Sequence, residues 1–149
     1  MNFRRAISLL ALVSGLVALY LHLWKIGMVG ALSCGVEARG CEYVQLSPYG
    51  WFLGYDVALI GTWGYAAIFT VATIGGLDRF ANSRWPTIAL MALIWPAVLF
   101  TIRLKYAEWF ILRGFCTWCL VSTVTITVCA ILVTLDLRRV RGATAQHSA

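Results

Sequence analysis

Charge is what this sequence has least of. Only 12 Lys and Arg and 6 Asp and Glu occur in 149 residues, a charged fraction of 12%, and a soluble domain carries about twice that share. A water-exposed surface cannot be built from so few charges, which excludes an ordinary cytosolic enzyme. Histidine is scarce as well: His22 ends an apolar run and His147 lies in the tail, so no imidazole ligand set for a metal is in view. Also missing are a Gly-x-Gly-x-x-Gly fingerprint, a Cys-x-x-Cys-His haem site and an iron–sulfur cysteine set. There are no internal repeats, low-complexity tracts or nucleic-acid motifs, and the net charge of +6 is accounted for by membrane topology, with no nucleic-acid partner required.

What the chain has instead is apolar length. It is 61% hydrophobic with a mean hydropathy of +0.82, and four runs reach the ~20 helical residues that cross a hydrocarbon core. They are Ala6 to Trp24, Val57 to Leu77, Trp85 to Ile102 and Gly114 to Leu135, none containing Asp, Glu, Lys or Arg. Lipid offers the backbone no hydrogen-bond partners, so these runs are expected to be helices. The predicted fold class is an all-α membrane protein, a four-transmembrane-helix bundle with an exterior cysteine loop and an interfacial cap. Residues 1–137 would form this domain and residues 138–149 a basic cytoplasmic tail. Pro96 is expected to kink the third span. Gly61 and Gly64 in the second span, with Ala89 and Ala92 in the third, would allow close helix contact or serve as plain lipid-facing filler.

An even number of spans returns both termini to one side. Arg4, Arg5, Arg79, Arg84, Arg138, Arg139 and Arg141 fall there with Asp78 and Asp136; Lys25, Arg39, Arg103, Lys105 and Arg113 fall opposite with Glu37, Glu42, Asp56 and Glu108. The larger basic excess marks the terminal side as cytoplasmic. A cleaved signal peptide is disfavoured, because the first apolar run is too long and no small-x-small site closes it. Ala31-Leu32-Ser33-Cys34 only faintly resembles a lipoprotein cleavage box.

Four of the five cysteines share the exterior side. Cys34 and Cys41 lie in the first loop, and Cys116 and Cys119 form Cys-Thr-Trp-Cys at the start of the fourth run. An exterior compartment is oxidising, so such pairs rest in disulfides or cycle through them. Positions i and i+3 share a helix face, and the first turn presents free N–H groups that ease thiol ionisation. Since the thiolate is the attacking species, Cys116 is the better candidate for exchange at the surface, and Cys119 should look into the bundle. Arg113 is near enough in sequence to help the thiolate or simply to sit at the membrane surface. Two alternatives remain beside redox exchange. One is a pair of static staples, a poor account of two cysteines within one helical turn; the other is a four-thiolate metal site, which an oxidising surface disfavours. Cys129, about 15 Å deeper along the helix, reads as small apolar filler.

A dithiol cycle in a membrane needs a second redox partner, and a lipid-soluble quinone fits because two electrons and two protons match one dithiol. The stretch Ser47 to Tyr55 is apolar and aromatic but broken by Pro48, Gly50 and Gly54, so it is expected to lie in the interface. Trp24, Tyr43, Tyr49, Trp51, Tyr55, Tyr106, Trp109 and Trp118 crowd the exterior side, against Trp85 within. Such an excess suggests a lid over a pocket near Cys119, or interfacial anchoring.

The ordered set of four spans, a loop cysteine pair, Cys41-Glu-Tyr-Val-Gln-Leu-Ser47-Pro-Tyr-Gly-Trp-Phe-Leu-Gly54, Val57-Ala-Leu-Ile-Gly61 followed by Gly64-Tyr65, and Cys116-Thr-Trp-Cys119-Leu resembles the vitamin K epoxide reductase family. The resemblance runs from the first span to about Leu135. It implies a bacterial homologue in the inner (cytoplasmic) membrane, with its active site on the periplasmic or exterior side. The implied activity is that of a membrane thiol:quinone oxidoreductase. Cys119 would react with the quinone (ubiquinone, menaquinone or similar), Cys116 would exchange with Cys41, and Cys34 would take electrons from a thioredoxin-fold (DsbA-like) protein. Ser47 matches a family serine in the cap over the pocket, and Trp118 and Thr123 would stand beside the quinone. Thr123 occupies the place of a vertebrate pocket tyrosine, and the vertebrate pocket asparagine has no clear match in the second span. With no thioredoxin domain after Leu135, the partner is expected to be a separate protein. The rival readings are a heavy-metal binding or transport membrane protein using the same thiols, and a structural four-helix subunit.

Overall fold

The computed structural model describes residues 3–32, 34 and 38–147, apart from the side chains of Ala38, Arg39, Thr144 and His147; Ser33 and Glu37 lie outside the described residues. Four helices are long and apolar enough to cross a membrane: α1 (Phe3–Lys25), α3 (Val57–Gly75), α4 (Trp85–Tyr106) and α5 (Thr117–His147). A short helix, α2 (Ala38–Leu46), lies in the first loop. The fold is a membrane four-helix bundle in which α1 packs on α3 and α5, and α4 packs on α5 and α3. Ile7, Ile68, Leu90, Ile94 and Val133 fill its centre, and Cys129 is buried among them.

The helix ends differ from the apolar runs for local reasons. The chain continues from α4 into a π-helical turn, Ala107–Leu112, and then breaks at Arg113, whose φ of 49° is left-handed. The fourth helix therefore starts at Thr117, three residues after Gly114. At its far end α5 does not stop with the apolar run but carries Arg138, Arg139 and Arg141 on the same helix as far as His147. α4 remains one helix through Pro96. Of the small residues, Gly61 does sit against α1, where an added Cβ would lie 3.7 Å from the Ala18 Cβ, whereas Gly64 faces open space and Ala92 is exposed. The tighter approach is at Gly15 of α1, whose added Cβ would come within 3.3 Å of Tyr65.

Each end of the bundle is tied by a buried charge. At the terminal end Arg4 donates to Asp136 Oδ2 (2.7 Å), Gly75 O (2.7 Å), Phe80 O (2.7 Å), Ser83 O (2.9 Å) and Thr87 Oγ1 (2.9 Å). One guanidinium thus joins all four spanning helices and the loop between α3 and α4. At the cysteine end Asp56 N-caps α3 by accepting the Ala58 N–H at 3.1 Å. The same carboxylate takes His22 Nδ1–H at 2.8 Å and Lys25 Nζ at 2.5 Å, which fastens the end of α1 to the start of α3.

Between α2 and α3 the expected interfacial segment folds as a turn and a hairpin. A 3-10 turn at Pro48–Gly50 leads into β1 (Trp51–Phe52), paired antiparallel with β2 (Tyr55–Asp56) in the register Trp51 to Asp56 and Phe52 to Tyr55. The two connecting residues, Leu53 and Gly54, have φ of 52° and 82°, the positive pair that a tight two-residue hairpin turn requires. Trp51, Leu53 and Tyr55 are exposed, presenting apolar groups outward as an interfacial element would.

Candidate redox site

The redox residues gather where the loop helix meets the start of α5. Cys34 and Cys41 form a disulfide, while Cys116, Cys119 and Cys129 are free thiols. Cys41 and Cys116 are both fully buried and share one apolar cluster with Leu21, Leu32 and Ala58, against which Cys34, Trp24, Trp118 and Cys119 pack. Cys34, Cys41, Cys116 and Cys119 therefore occupy one packed site.

Cys116 holds the cap position of α5. Its sulfur accepts the Cys119 backbone N–H at 3.4 Å, and its carbonyl accepts the Leu120 N–H at 3.0 Å. A thiol in that position meets the positive end of the helix. The hydrogen bond from the Cys119 thiol is the largest influence on Cys116 and lowers it; burial opposes, the Cys119 N–H lowers it further, the Glu108 charge raises it, and the Gln45 amide lowers it. The outcome is a thiol that ionises at about 7 instead of 9.0. Arg113 is exposed and is not the source of this shift; neighbouring thiol, helix end and amide supply it.

Glu108, in the π-helical turn, positions the motif. Its Oε1 accepts the Cys116 N–H at 2.7 Å, its Oε2 takes Lys105 Nζ at 2.6 Å, and its backbone carbonyl accepts the Gly114 N–H at 3.2 Å. A buried carboxylate needs such partners. Extra-residue turns of this kind occur often at functional sites, and here the turn brings an acid against the motif.

Cys119 faces a cavity of about 420 Å³ enclosed by all four spans and α2, a volume suited to an organic ring system. Trp118 and Thr123 line it, and the Thr123 hydroxyl donates to the Cys119 carbonyl at 2.7 Å. Its proton is committed to the helix. Ser47 does not line this cavity: its hydroxyl donates to Val44 O at 2.7 Å and closes the turn after α2, beside a shallower surface pocket. Of the aromatics at the cysteine end, Tyr49 and Trp118 line the cavity, whereas Trp51, Tyr55, Tyr106 and Trp109 are exposed. The cover of the cavity is thus α2 and Tyr49, and Trp51, Tyr55, Tyr106 and Trp109 lie at the surface of the bundle.

Residues 5–134 match the model of the Vitamin K epoxide reductase family. The chain belongs to the vitamin K epoxide reductase family. Membership makes it a membrane protein of oxidoreductase type, whose chemistry is disulfide exchange linked to quinones.

This vitamin K epoxide reductase family member also has site residues that the sequence reading did not single out. Gln45 lines the cavity and donates to Cys119 Sγ at 3.6 Å. Tyr65 of α3 lies 2.7 Å from Ser122 Oγ, one turn below Cys119, and both line the cavity. Lys105 and Glu108 are the charged residues of the lining. The signals were present but faint: Gln45 lies one helical turn after Cys41, and Glu108 stands eight residues before Cys116 in an otherwise apolar stretch.

Proposed function

We propose that this family member is a thiol:quinone oxidoreductase that reoxidises a thioredoxin-fold disulfide-forming protein and passes the electrons to a quinone in the bilayer. One observation carries the reading: a disulfide and a reduced dithiol share one buried cluster, and the dithiol's inner sulfur opens on a cavity sized for a small ring system.

The route follows from what each sulfur meets. The dithiol of the partner reduces the Cys34–Cys41 disulfide, and the partner is left with its own disulfide. Cys41, now a thiolate, attacks Cys116 of a Cys116–Cys119 disulfide and Cys119 leaves; Cys34 then attacks Cys41, which restores the Cys34–Cys41 disulfide and frees Cys116 and Cys119 as a dithiol. Cys119 delivers the pair of electrons at the cavity, and the Cys116–Cys119 disulfide re-forms as one quinone becomes one hydroquinone with the two protons of the dithiol. Ile60, Gly64 and Pro96 line the cavity and are exposed, which gives an apolar tail a way out between α3 and α4. The basic excess at the Arg4 end supports cytoplasmic termini and a site on the exterior, oxidising face of a bacterial inner membrane. Against the heavy-metal reading, the disulfide takes two of the four thiolates such a site would use.

Purified protein supplied with a reduced thioredoxin-fold partner and a ubiquinone or menaquinone analogue should consume quinone, and Cys119→Ser should abolish it. Quinone consumption that survives Cys119→Ser would overturn the reading.

A further inference from the structure

Gln45 joins the loop helix to the dithiol. Its amide nitrogen donates to Cys119 Sγ at 3.6 Å, it is buried at 7% exposure, and it borders the cavity on which Cys119 opens. Its position is rigidly set. A Cβ on Gly50 would lie 2.2 Å from the Gln45 carbonyl oxygen, so the 3-10 turn presses directly on this residue and only glycine fits. Cys41 and Gln45 are four residues apart on α2 and share a face. One short helix therefore delivers both the exchanging sulfur and a neutral hydrogen-bond donor to the Cys116–Cys119 pair.

A donor is needed there. The cavity wall is mostly apolar, and a thiolate facing it without a hydrogen-bond partner would bear the full cost of burial. The Lys105 ammonium is engaged by Glu108, and Thr123 donates to the backbone. The Gln45 amide meets the requirement without adding net charge.

We propose that Gln45 is a catalytic residue of the dithiol pair, whose side-chain N–H stabilises the negative charge that arrives on Cys119 when the Cys116–Cys119 bond breaks. The proposal rests on the thiol:quinone reading. In the exchange step the Cys41 thiolate attacks Cys116 of a Cys116–Cys119 disulfide; the Cys41–Cys116 bond forms, the Cys116–Cys119 bond breaks, and its electron pair leaves on Cys119. Gln45 stands at that leaving sulfur, where a preorganised donor lowers the barrier.

The test uses full-length protein and the variants Gln45→Met, which keeps the shape and removes the donor, and Gln45→Glu, which replaces the amide with a carboxylate. The first readout needs no quinone: the rate of iodoacetamide alkylation of the reduced pair against pH. The native midpoint should lie near 7, and both variants should shift it upward, with alkylation at pH 7 falling about twofold to threefold. The second readout is quinone consumption with a reduced thioredoxin-fold partner, in which kcat should fall about tenfold to a hundredfold with KM little changed. Retention of the Cys34–Cys41 disulfide shows that the variants are folded. A native-like alkylation profile in both variants would overturn the proposal, even if turnover fell, since a merely structural residue would behave that way. A shifted profile in a protein that consumes no quinone would retain the role of Gln45 and defeat the thiol:quinone reading instead.

Discussion

Glu108 holds Cys116 by its backbone and opposes it by its charge. The carboxylate accepts the Cys116 N–H at 2.7 Å, fixing the cap of α5, while its charge raises the thiol's ionisation. Glu108→Gln keeps an acceptor for the N–H and removes the charge, so Cys116 should ionise below about 7 and alkylate faster at pH 6. Glu108→Leu strands the buried N–H and should lower exchange by about tenfold. Alkylation rates and partner oxidation, measured on both variants, separate position from charge.

The hydrogen bond from Cys119 is the largest cause of the low Cys116 ionisation. Thiol exchange by Cys116 should therefore rise about tenfold per pH unit below 7 and level off above it. Cys119→Ala removes that bond, and the midpoint should move up toward 9.0. A profile unchanged in Cys119→Ala would show that the helix end alone sets it.

Burial pushes the Asp56 carboxyl up, but hydrogen bonds from Lys25, His22 and the Ala58 N–H together outweigh it and hold the group below 3.8. A depressed carboxylate contributes stability above its unfolded value, and that contribution is lost as pH falls through the lower folded value. Thermal melts in detergent should thus be flat near pH 6 and fall below pH 4, whereas Asp56→Asn should melt lower at pH 6 and show a weaker acid dependence. The exposure of Trp51, which lies 5.3 Å beneath the Lys25 ammonium, should change with the cap and can be followed by fluorescence.

Arg4 and Asp136 are both buried and bonded, and Asp136 Oδ1 has no partner among the described residues. Removing either alone leaves a buried charge unmatched, at a cost of about 3–5 kcal/mol. Arg4→Met or Asp136→Leu should lower the melting temperature markedly, and the double variant should recover much of the loss. Additive losses in the double variant would mean that the five-bond cluster, not the charge pair, carries the stability.

The bundle was legible because lipid leaves the backbone few choices, and uncharged runs such as Val57 to Leu77 can be read directly. The cysteine pairs were equally plain, since residue type and spacing set Cys34 with Cys41 and Cys116 with Cys119. What could not be read were contacts between distant segments. Arg4 counted as a topology charge, yet its side chain turns inward to Asp136 across 132 residues. Gln45 looked like one polar residue in a loop until α2 placed it one turn from Cys41 and against Cys119. Arg113 is exposed, as the surface reading had it, and the Ser47 hydroxyl is spent on a local turn, which sequence nearness to a cysteine could not reveal.

The Arg4 cluster also dictates an order of assembly. This arginine lies on the first of the four spans in sequence order, and its acceptors follow at Gly75, Phe80, Ser83, Thr87 and finally Asp136. Its charge is matched only when the last helix arrives. A chain that lacked α5 would hold Arg4 without its carboxylate partner at the bundle's end.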